Sequence, residues 1–65
     1  MSTLTLSRRE RQILRLVERI ANSEIAHQLV IEANTVKSHL LRIYQRLSVT
    51  TWYQAVMHAK RLQML

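Results

Sequence analysis

The sequence predicts an all-α fold, a compact domain of four short helices joined by connections of about two to four residues. Two observations predict it. Apolar residues recur at three- and four-residue steps in four separate segments, which is the spacing of one helix face. Two of these segments follow a Ser or Thr with Glu or Gln three residues later, the pattern of a capping box. No segment sustains the apolar–polar alternation of a strand, and residues 1–65 are expected to form one domain.

The first two helices are expected at about residues 8–19 and 22–30. Ser7 and Glu10 have capping-box spacing at the start of the first helix. The apolar stripe of that helix consists of Ile13, Leu14, Leu16, Val17 and Ile20. Its other side carries five arginines: Arg8, Arg9, Arg11, Arg15 and Arg19. The second helix has one stripe made of Ile25, Ala26, Leu29 and Val30, in which the small Ala26 would let a neighbouring helix approach closely.

The third helix is expected at about residues 34–47 and has the clearest division into two faces. At about 100° per residue, one side collects a core stripe of Val36, Leu40, Ile43 and Leu47. The opposite side carries Asn34, Ser38, Leu41 and Gln45, flanked by Lys37 and Arg42, with Thr35, His39 and Arg46 on one border. A brief turn at residues 30–33 precedes this helix, and the fourth helix is expected at about residues 52–63. Thr51 and Gln54 have capping-box spacing, and the fourth stripe consists of Ala55, Val56, Ala59 and Leu62.

Charge and composition favour a polyanionic partner and argue against an enzyme. The net charge is +6, and eight of the ten basic residues are arginine, which suits phosphate. Cysteine is absent, so no disulfide or cysteine-ligated zinc site can form. The three histidines lie on different helices without ligand spacing, and the chain lacks Asp, Gly and any catalytic Ser-His-Asp set. We therefore expect no metal, no cofactor, no small-molecule ligand in this segment and no catalysis.

Neither a membrane span nor a signal peptide is predicted. No apolar run approaches the roughly 20 residues that a spanning helix needs, and the N-terminus lacks a hydrophobic signal region. A basic amphipathic helix on a membrane surface is disfavoured, because the apolar residues divide into four stripes instead of one continuous face. A cytoplasmic location is therefore expected.

The outer face of the third helix has the chemistry of a surface that reads DNA bases. Lys and Arg can reach guanine or phosphate, Asn and Gln can pair with adenine, and an aliphatic side chain can pack on a thymine methyl. Leu41 is the one apolar residue in that strip. A short helix, a tight turn and a second helix with a polar outer face form the layout of a helix-turn-helix, which predicts double-stranded DNA as the partner.

Several stretches of the chain carry a family resemblance. They are LSRRERQILRLV, NSEIAHQL, IEANTVKSHLLRIYQRLSV and the Ala55–Val56 pair, and they extend from Leu6 to about Ala59. With these stretches the sequence resembles the LuxR-type (GerE-like) helix-turn-helix domain of bacterial transcription regulators. The resemblance implies a four-helix DNA-binding domain that binds two-fold symmetric operators as a dimer, with the last helix supplying the dimer contact.

The resemblance also suggests roles for individual residues. Lys37, Ser38 and Leu41 fall at base-reading positions, and the helix wheel adds Asn34 and Gln45 to this set. The candidates for phosphate contacts are Asn22, Ser23, Thr35, Arg42 and Arg46. The candidates for the dimer contact are Trp52, Tyr53, Val56, Met57 and Lys60. The alternative for this last helix is a protein-interaction module that pairs with another regulator, and the alternative for Trp52 is a cap on the edge of the core.

This chain departs from the family pattern at four places. Arg19 and Ser48 replace glycines that favour the left-handed conformation, so strain of roughly 1 kcal/mol or differently closed turns are expected there. Ala21 replaces the serine that caps the second helix, a loss that costs about 1 kcal/mol unless Asn22 or Ser23 takes over the capping. The other two departures are Glu32, whose charge still suits a helix N-terminus, and Leu41, which stands where a polar or basic residue is frequent.

Overall fold

The structure is a computed structural model that describes residues 6–65, and within this range it contains four helices and no strand. The helices are α1 (Arg8–Val17), α2 (Asn22–Leu29), α3 (Ala33–Leu47) and α4 (Trp52–Arg61). All four predicted helices are therefore confirmed. Their ends differ by one or two residues from the prediction, because α1, α2 and α4 each end earlier and α3 begins one residue earlier.

The core is built around α3, which packs against each of the other three helices. Its predicted stripe is confirmed, since Val36, Leu40, Ile43 and Leu47 are all buried. The core residues contributed by the rest of the described chain are Leu6, Ile13, Leu14, Ile25, Ala26, Ala55, Val56 and Ala59. Because only one side of α3 is apolar, burial of that side turns the opposite side outward.

The N-terminus of α1 is closed by the predicted capping box. The Glu10 N–H donates to Ser7 Oγ at 3.1 Å, and the Ser7 N–H donates to Glu10 Oε1 at 2.8 Å. Glu10 is also the buried charged residue of the described chain, with 5% exposure. The same Oε1 accepts from Nη1 of Arg46 on α3 at 2.6 Å, so one carboxylate closes α1 and ties it to α3.

The other helix starts differ from this arrangement. At α4 the Gln54 N–H donates to Thr51 Oγ1 at 3.2 Å, while Gln54 Oε1 accepts from the Thr50 N–H at 3.1 Å, one residue outside the expected box. Ala21 and Glu32 occupy the cap positions of α2 and α3, and neither start has a side-chain cap. Neither Asn22 nor Ser23 takes over the capping of α2, because both lie inside the first turn of the helix.

Three helices end in the same left-handed turn without a glycine. Val30, Ser48 and Gln63 have φ of 56°, 58° and 59°. In each turn the next residue donates its N–H five residues back, as in Ile31 to the Ala26 carbonyl at 3.0 Å, which is the Schellman arrangement. The residues that follow the left-handed positions all pack on the core: Ile31, Val49 and Met64. That apolar contact holds each turn in place.

These turns confirm the expectation for Ser48 and correct the expectations for Arg19 and Val30. Ser48 is left-handed as expected. Arg19 is not, because α1 ends through ordinary right-handed geometry at Glu18, whose φ is −69°. Val30 is not part of the apolar stripe of α2, since it is 90% exposed and occupies the left-handed position itself. The strain expected at Arg19 is therefore found at the turn between α2 and α3.

Replacing Val30 with Gly should stabilise the domain by about 0.5–1 kcal/mol. A β-branched residue in the left-handed region costs about 1–2 kcal/mol, and the added freedom of glycine in the unfolded chain offsets part of the gain. Little packing is lost, because the Val30 side chain is 90% exposed. Urea denaturation measures the change, with Arg19→Gly as the control that should bring no gain. Equal or lower stability of the Val30 variant would contradict the strain assigned to this turn.

Replacing Glu10 with Gln should destabilise the domain by about 1–2 kcal/mol, because the Arg46 guanidinium would lose its anionic partner. The expected loss of stability is small for a buried ion pair, because the Arg46 side chain is 36% exposed. A double-mutant cycle with Arg46→Gln isolates the coupling between the two residues. Additive changes in the free energy of unfolding would mean that the ion pair does not hold α1 to α3.

Candidate nucleic-acid interface

The side of α3 that faces away from the core is polar and basic, as the helix wheel predicts. Lys37, Ser38 and Gln45 are exposed, and Leu41 retains 60% of its accessible surface. Within α3 there is no acidic residue, so this face carries no negative side chain of its own. The five residues predicted to read bases therefore share one accessible surface: Asn34, Lys37, Ser38, Leu41 and Gln45.

One hydrogen bond orders the start of this surface. The Ser38 hydroxyl donates to the Asn34 carbonyl at 3.0 Å, one turn back along α3. A serine bonded in this way keeps its hydroxyl oxygen available as an acceptor. Ser38 is thus set to accept a hydrogen bond from a cytosine or adenine amino group, while Lys37 beside it can only donate.

A shallow cleft joins the outer face of α3 to the first turn of α2. It has a volume of about 220 Å³ and is lined by Asn22, Lys37, Leu40, Leu41 and Tyr44. The cleft brings a residue predicted to hold phosphate, Asn22, next to two predicted to read bases, Lys37 and Leu41. Part of the interface is therefore a single continuous surface made by both helices.

Tyr44 is a member of this cleft that sequence reasoning missed. Burial raises the pKa of its phenol above the ordinary value, so the hydroxyl stays protonated and can donate a hydrogen bond. On the wheel Tyr44 lies close to Lys37, on the border between core and outer face. This border position could have identified Tyr44 from the sequence, because an amphipathic aromatic side chain there exposes its polar end.

The candidate phosphate contacts lie around the edges of this surface. Ser23 and Arg42 are exposed, whereas Asn22 and Thr35 are half-buried. Arg46 lies on the border toward α1, where its Nη1 is bound to Glu10 at 2.6 Å. Arg42 is exposed on α3, while Arg46 takes part in holding α3 in place.

The face of α4 predicted for dimerisation is only partly accessible. Trp52, Tyr53 and Met57 are 42%, 60% and 46% exposed, and the two aromatic rings meet edge to face at 5.9 Å. Lys60 is exposed, and its Nζ pairs with Glu18, the residue that follows α1, at 2.8 Å. Val56 belongs to the core, with 2% exposure, so little of its side chain is accessible to a second copy.

Trp52 is 42% exposed, so more than half of its surface is covered by the domain and the rest is accessible. An open groove of about 390 Å³ runs beside Tyr53 and Met57, and Val49, Gln54, His58 and Arg61 complete its lining. An accessible aromatic pair beside a groove is typical of a surface that associates with another protein.

Residues 6–65 contain neither a metal-binding cluster nor a membrane-spanning helix. No group of three or more His, Cys, Asp or Glu residues in this range is arranged to hold a metal ion. None of the helices in the described range is both long and apolar enough to cross a membrane.

The comparison with known families agrees with this geometry. The family model described as bacterial regulatory proteins, luxR family, matches residues 4–59, which include the described parts of α1, α2, α3 and most of α4. No solved structure gives a significant match. A match over this much of the chain shows that it belongs to the luxR family of bacterial regulatory proteins, whose helix-turn-helix domain binds DNA and regulates transcription.

Proposed function

We propose that this domain binds double-stranded DNA in a sequence-specific manner, with α3 in the major groove, and regulates transcription through a two-fold symmetric operator. The observation that carries the proposal is the outward face of α3, where Lys37, Ser38 and Leu41 project from a helix anchored by its opposite side. These three side chains supply a donor, an acceptor and an apolar contact, the chemistries with which the major groove is read. A DNA partner places this function in the cytoplasm of a bacterium.

The α2 helix positions the domain on the DNA backbone in this proposal. Its first turn has no side-chain cap, so the backbone N–H groups of Asn22 and Ser23 are available to a phosphate. Thr35 and Arg42 hold phosphates from the side of α3. Arg46 is assigned a secondary role in phosphate binding, because its guanidinium already binds Glu10.

Two copies of the domain associate through α4 in this proposal, on DNA or before binding it. The accessible residues of that face are Trp52, Tyr53, Met57 and Lys60. A two-fold axis between two α4 helices would place the recognition helices about 34 Å apart, one turn of B-DNA. The operator is then an inverted repeat with half-sites centred one turn apart.

Selection from a random duplex library followed by sequencing tests the whole proposal. Enrichment of an inverted repeat would support sequence-specific binding, dimerisation and the half-site spacing together. Enrichment of a single half-site would support the reading by α3 and contradict the dimer. No enrichment at about 0.15 M salt, where non-specific binding is weakened, would contradict sequence recognition.

Replacing Lys37 with Ala should reduce both operator affinity and the preference over unrelated DNA. Loss of a good base contact costs about 1–3 kcal/mol, which is roughly a 5- to 150-fold weaker dissociation constant. Fluorescence anisotropy with operator and scrambled duplexes measures both quantities. Arg61→Ala is the charge-matched control, since it removes an exposed cation from α4. Equal losses for the two variants would mean that Lys37 contributes charge only.

Replacing Leu41 with Ala should leave stability within about 0.5 kcal/mol of the parent protein, because exposed side chains contribute little to folding. Repeating the library selection with this variant should change the preference at one base pair of each half-site, where we expect a thymine methyl to lie. An unchanged motif would remove Leu41 from the reading surface. A loss of several kcal/mol in stability would place Leu41 in the core.

Replacing Met57 with Glu should weaken binding to the inverted repeat at least 10-fold and leave binding to an isolated half-site unchanged. The substitution puts a charge into the apolar part of the α4 face, which is unfavourable in an interface. Gel-shift titrations on the two duplexes give the comparison. The alternative, a module that pairs with another regulator through α4, predicts weak DNA binding by the parent protein and association with a partner that Met57→Glu abolishes.

A further inference from the structure

The outer side of α1 carries a second basic surface, separate from that of α3. Arg8, Arg11 and Arg15 are exposed and form what we term the α1 arginine stripe. At about 100° per residue they fall within about 60° of one another, and the helical rise spreads them over about 10 Å. A DNA duplex presents about six phosphate charges over that length.

This stripe has no anionic partner among the described residues 6–65. None of the arginines of α1 takes part in an ion pair in residues 6–65. The two acidic residues nearest to it in sequence are already bound, Glu10 to Arg46 and Glu18 to Lys60. The positive charge of the stripe is therefore available to a partner outside the domain.

The stripe is also unfavourable for the stability of α1. Arg8 and Arg11 are three residues apart, and Arg11 and Arg15 are four apart, so like charges lie next to each other on the helix surface. Arg8 is in the first turn, where a positive charge opposes the helix dipole, whereas Arg15 is in the last turn, where the dipole favours a positive charge. A surface that weakens its own helix is not explained by folding, which favours a role in binding.

The composition of the stripe fits a phosphate backbone better than a protein or a membrane. Protein interfaces are centred on apolar or aromatic residues, and no large apolar side chain of α1 is exposed. A membrane surface would require the apolar side of the helix, but Ile13 and Leu14 have 0% exposure. Contacts to the DNA backbone need only cations and polar groups.

The stripe points away from the side of α1 that faces α3. Glu10 on α1 accepts a hydrogen bond from Arg46 on α3, and the three arginines lie about 100–160° around the helix from Glu10. The whole described domain measures 30 × 21 × 18 Å. A straight duplex in contact with the outer face of α3 would therefore not also reach the stripe.

We propose that the α1 arginine stripe binds the phosphate backbone of a second DNA segment, without sequence preference, so that one domain holds two duplexes. This goes beyond operator recognition by α3 and does not depend on it. A regulator with this property would join its operator to a distant stretch of DNA. The partner is identified by its chemistry alone, as a continuous array of phosphodiesters.

The triple variant Arg8→Gln, Arg11→Gln, Arg15→Gln tests contact with DNA. Binding of a scrambled duplex to protein whose α3 surface is already occupied by its selected site is measured against salt concentration, where each lost phosphate contact lowers the slope of log K by about 0.9. The triple variant should lower the slope by about 2.7. The control Arg61→Gln removes one charge from α4, and its slope measures the effect of a lost charge that makes no phosphate contact. A change of three times the Arg61→Gln effect or less would overturn the proposal.

A capture assay tests the second segment. Wild-type protein on an immobilised duplex carrying its selected site should retain a labelled scrambled duplex, and the triple variant should lose at least nine-tenths of that retention while still binding the immobilised site. Retention by the triple variant would overturn the proposal, as would failure of the wild type to retain the second duplex. Competition by poly-glutamate as strong as that by duplex DNA would identify an acidic protein as the partner instead.

The triple variant should melt no lower than wild type, because the substitutions remove repulsion between like charges. A lower melting temperature would mean that the stripe has a structural role.

Discussion

The rotation of α3 about its own axis is the constraint on which the candidate interface depends. Four apolar side chains hold one side of this helix in the core, and no other side of α3 could take their place. The bond from Arg46 to Glu10 adds a polar anchor on the border toward α1. Because Glu10 also completes the capping box of Ser7, the start of α1 and the orientation of α3 are fixed by the same carboxylate. The face with Lys37 and Leu41 points outward as a consequence.

A domain of 65 residues has a small core, so each helix end matters to its stability. This chain contains no glycine, yet three of its helices end in left-handed turns. The strain is tolerated because the residue after each turn packs on the core and two backbone carbonyls gain donors. The turn at Val30 sits between α2 and α3, so it also determines how the two helices of the helix-turn-helix meet. A strained turn at this place joins the stability of the fold to the geometry of DNA binding.

Much of the fold and part of the candidate site could be predicted from the sequence, because both follow from helical periodicity. The buried side of α3 and the exposure of Leu41 are fixed by residue spacing alone. The ends of the helices depend on tertiary packing, which is why Val30 was placed in the stripe of α2 although Ile31 is the residue that packs. Val56 shows a second limit of prediction from sequence, since a helical wheel does not show how wide the buried side of α4 is. Tyr44 joins the α3 surface only through the cleft with Asn22, a contact between two helices that periodicity within one helix does not reveal.

In the two proposals, the surface of α3 serves base recognition and the α1 arginine stripe serves backbone binding. The surface of α3 combines a cation with an acceptor and an apolar group, whereas the α1 arginine stripe is uniform. Nuclear magnetic resonance of the labelled domain with its selected duplex shows whether α3 reads the bases. If it does, intermolecular contacts are expected from the side chains of Lys37, Ser38 and Leu41 to base protons in the major groove. Contacts to bases from α1 or α4, with α3 unperturbed, would contradict it.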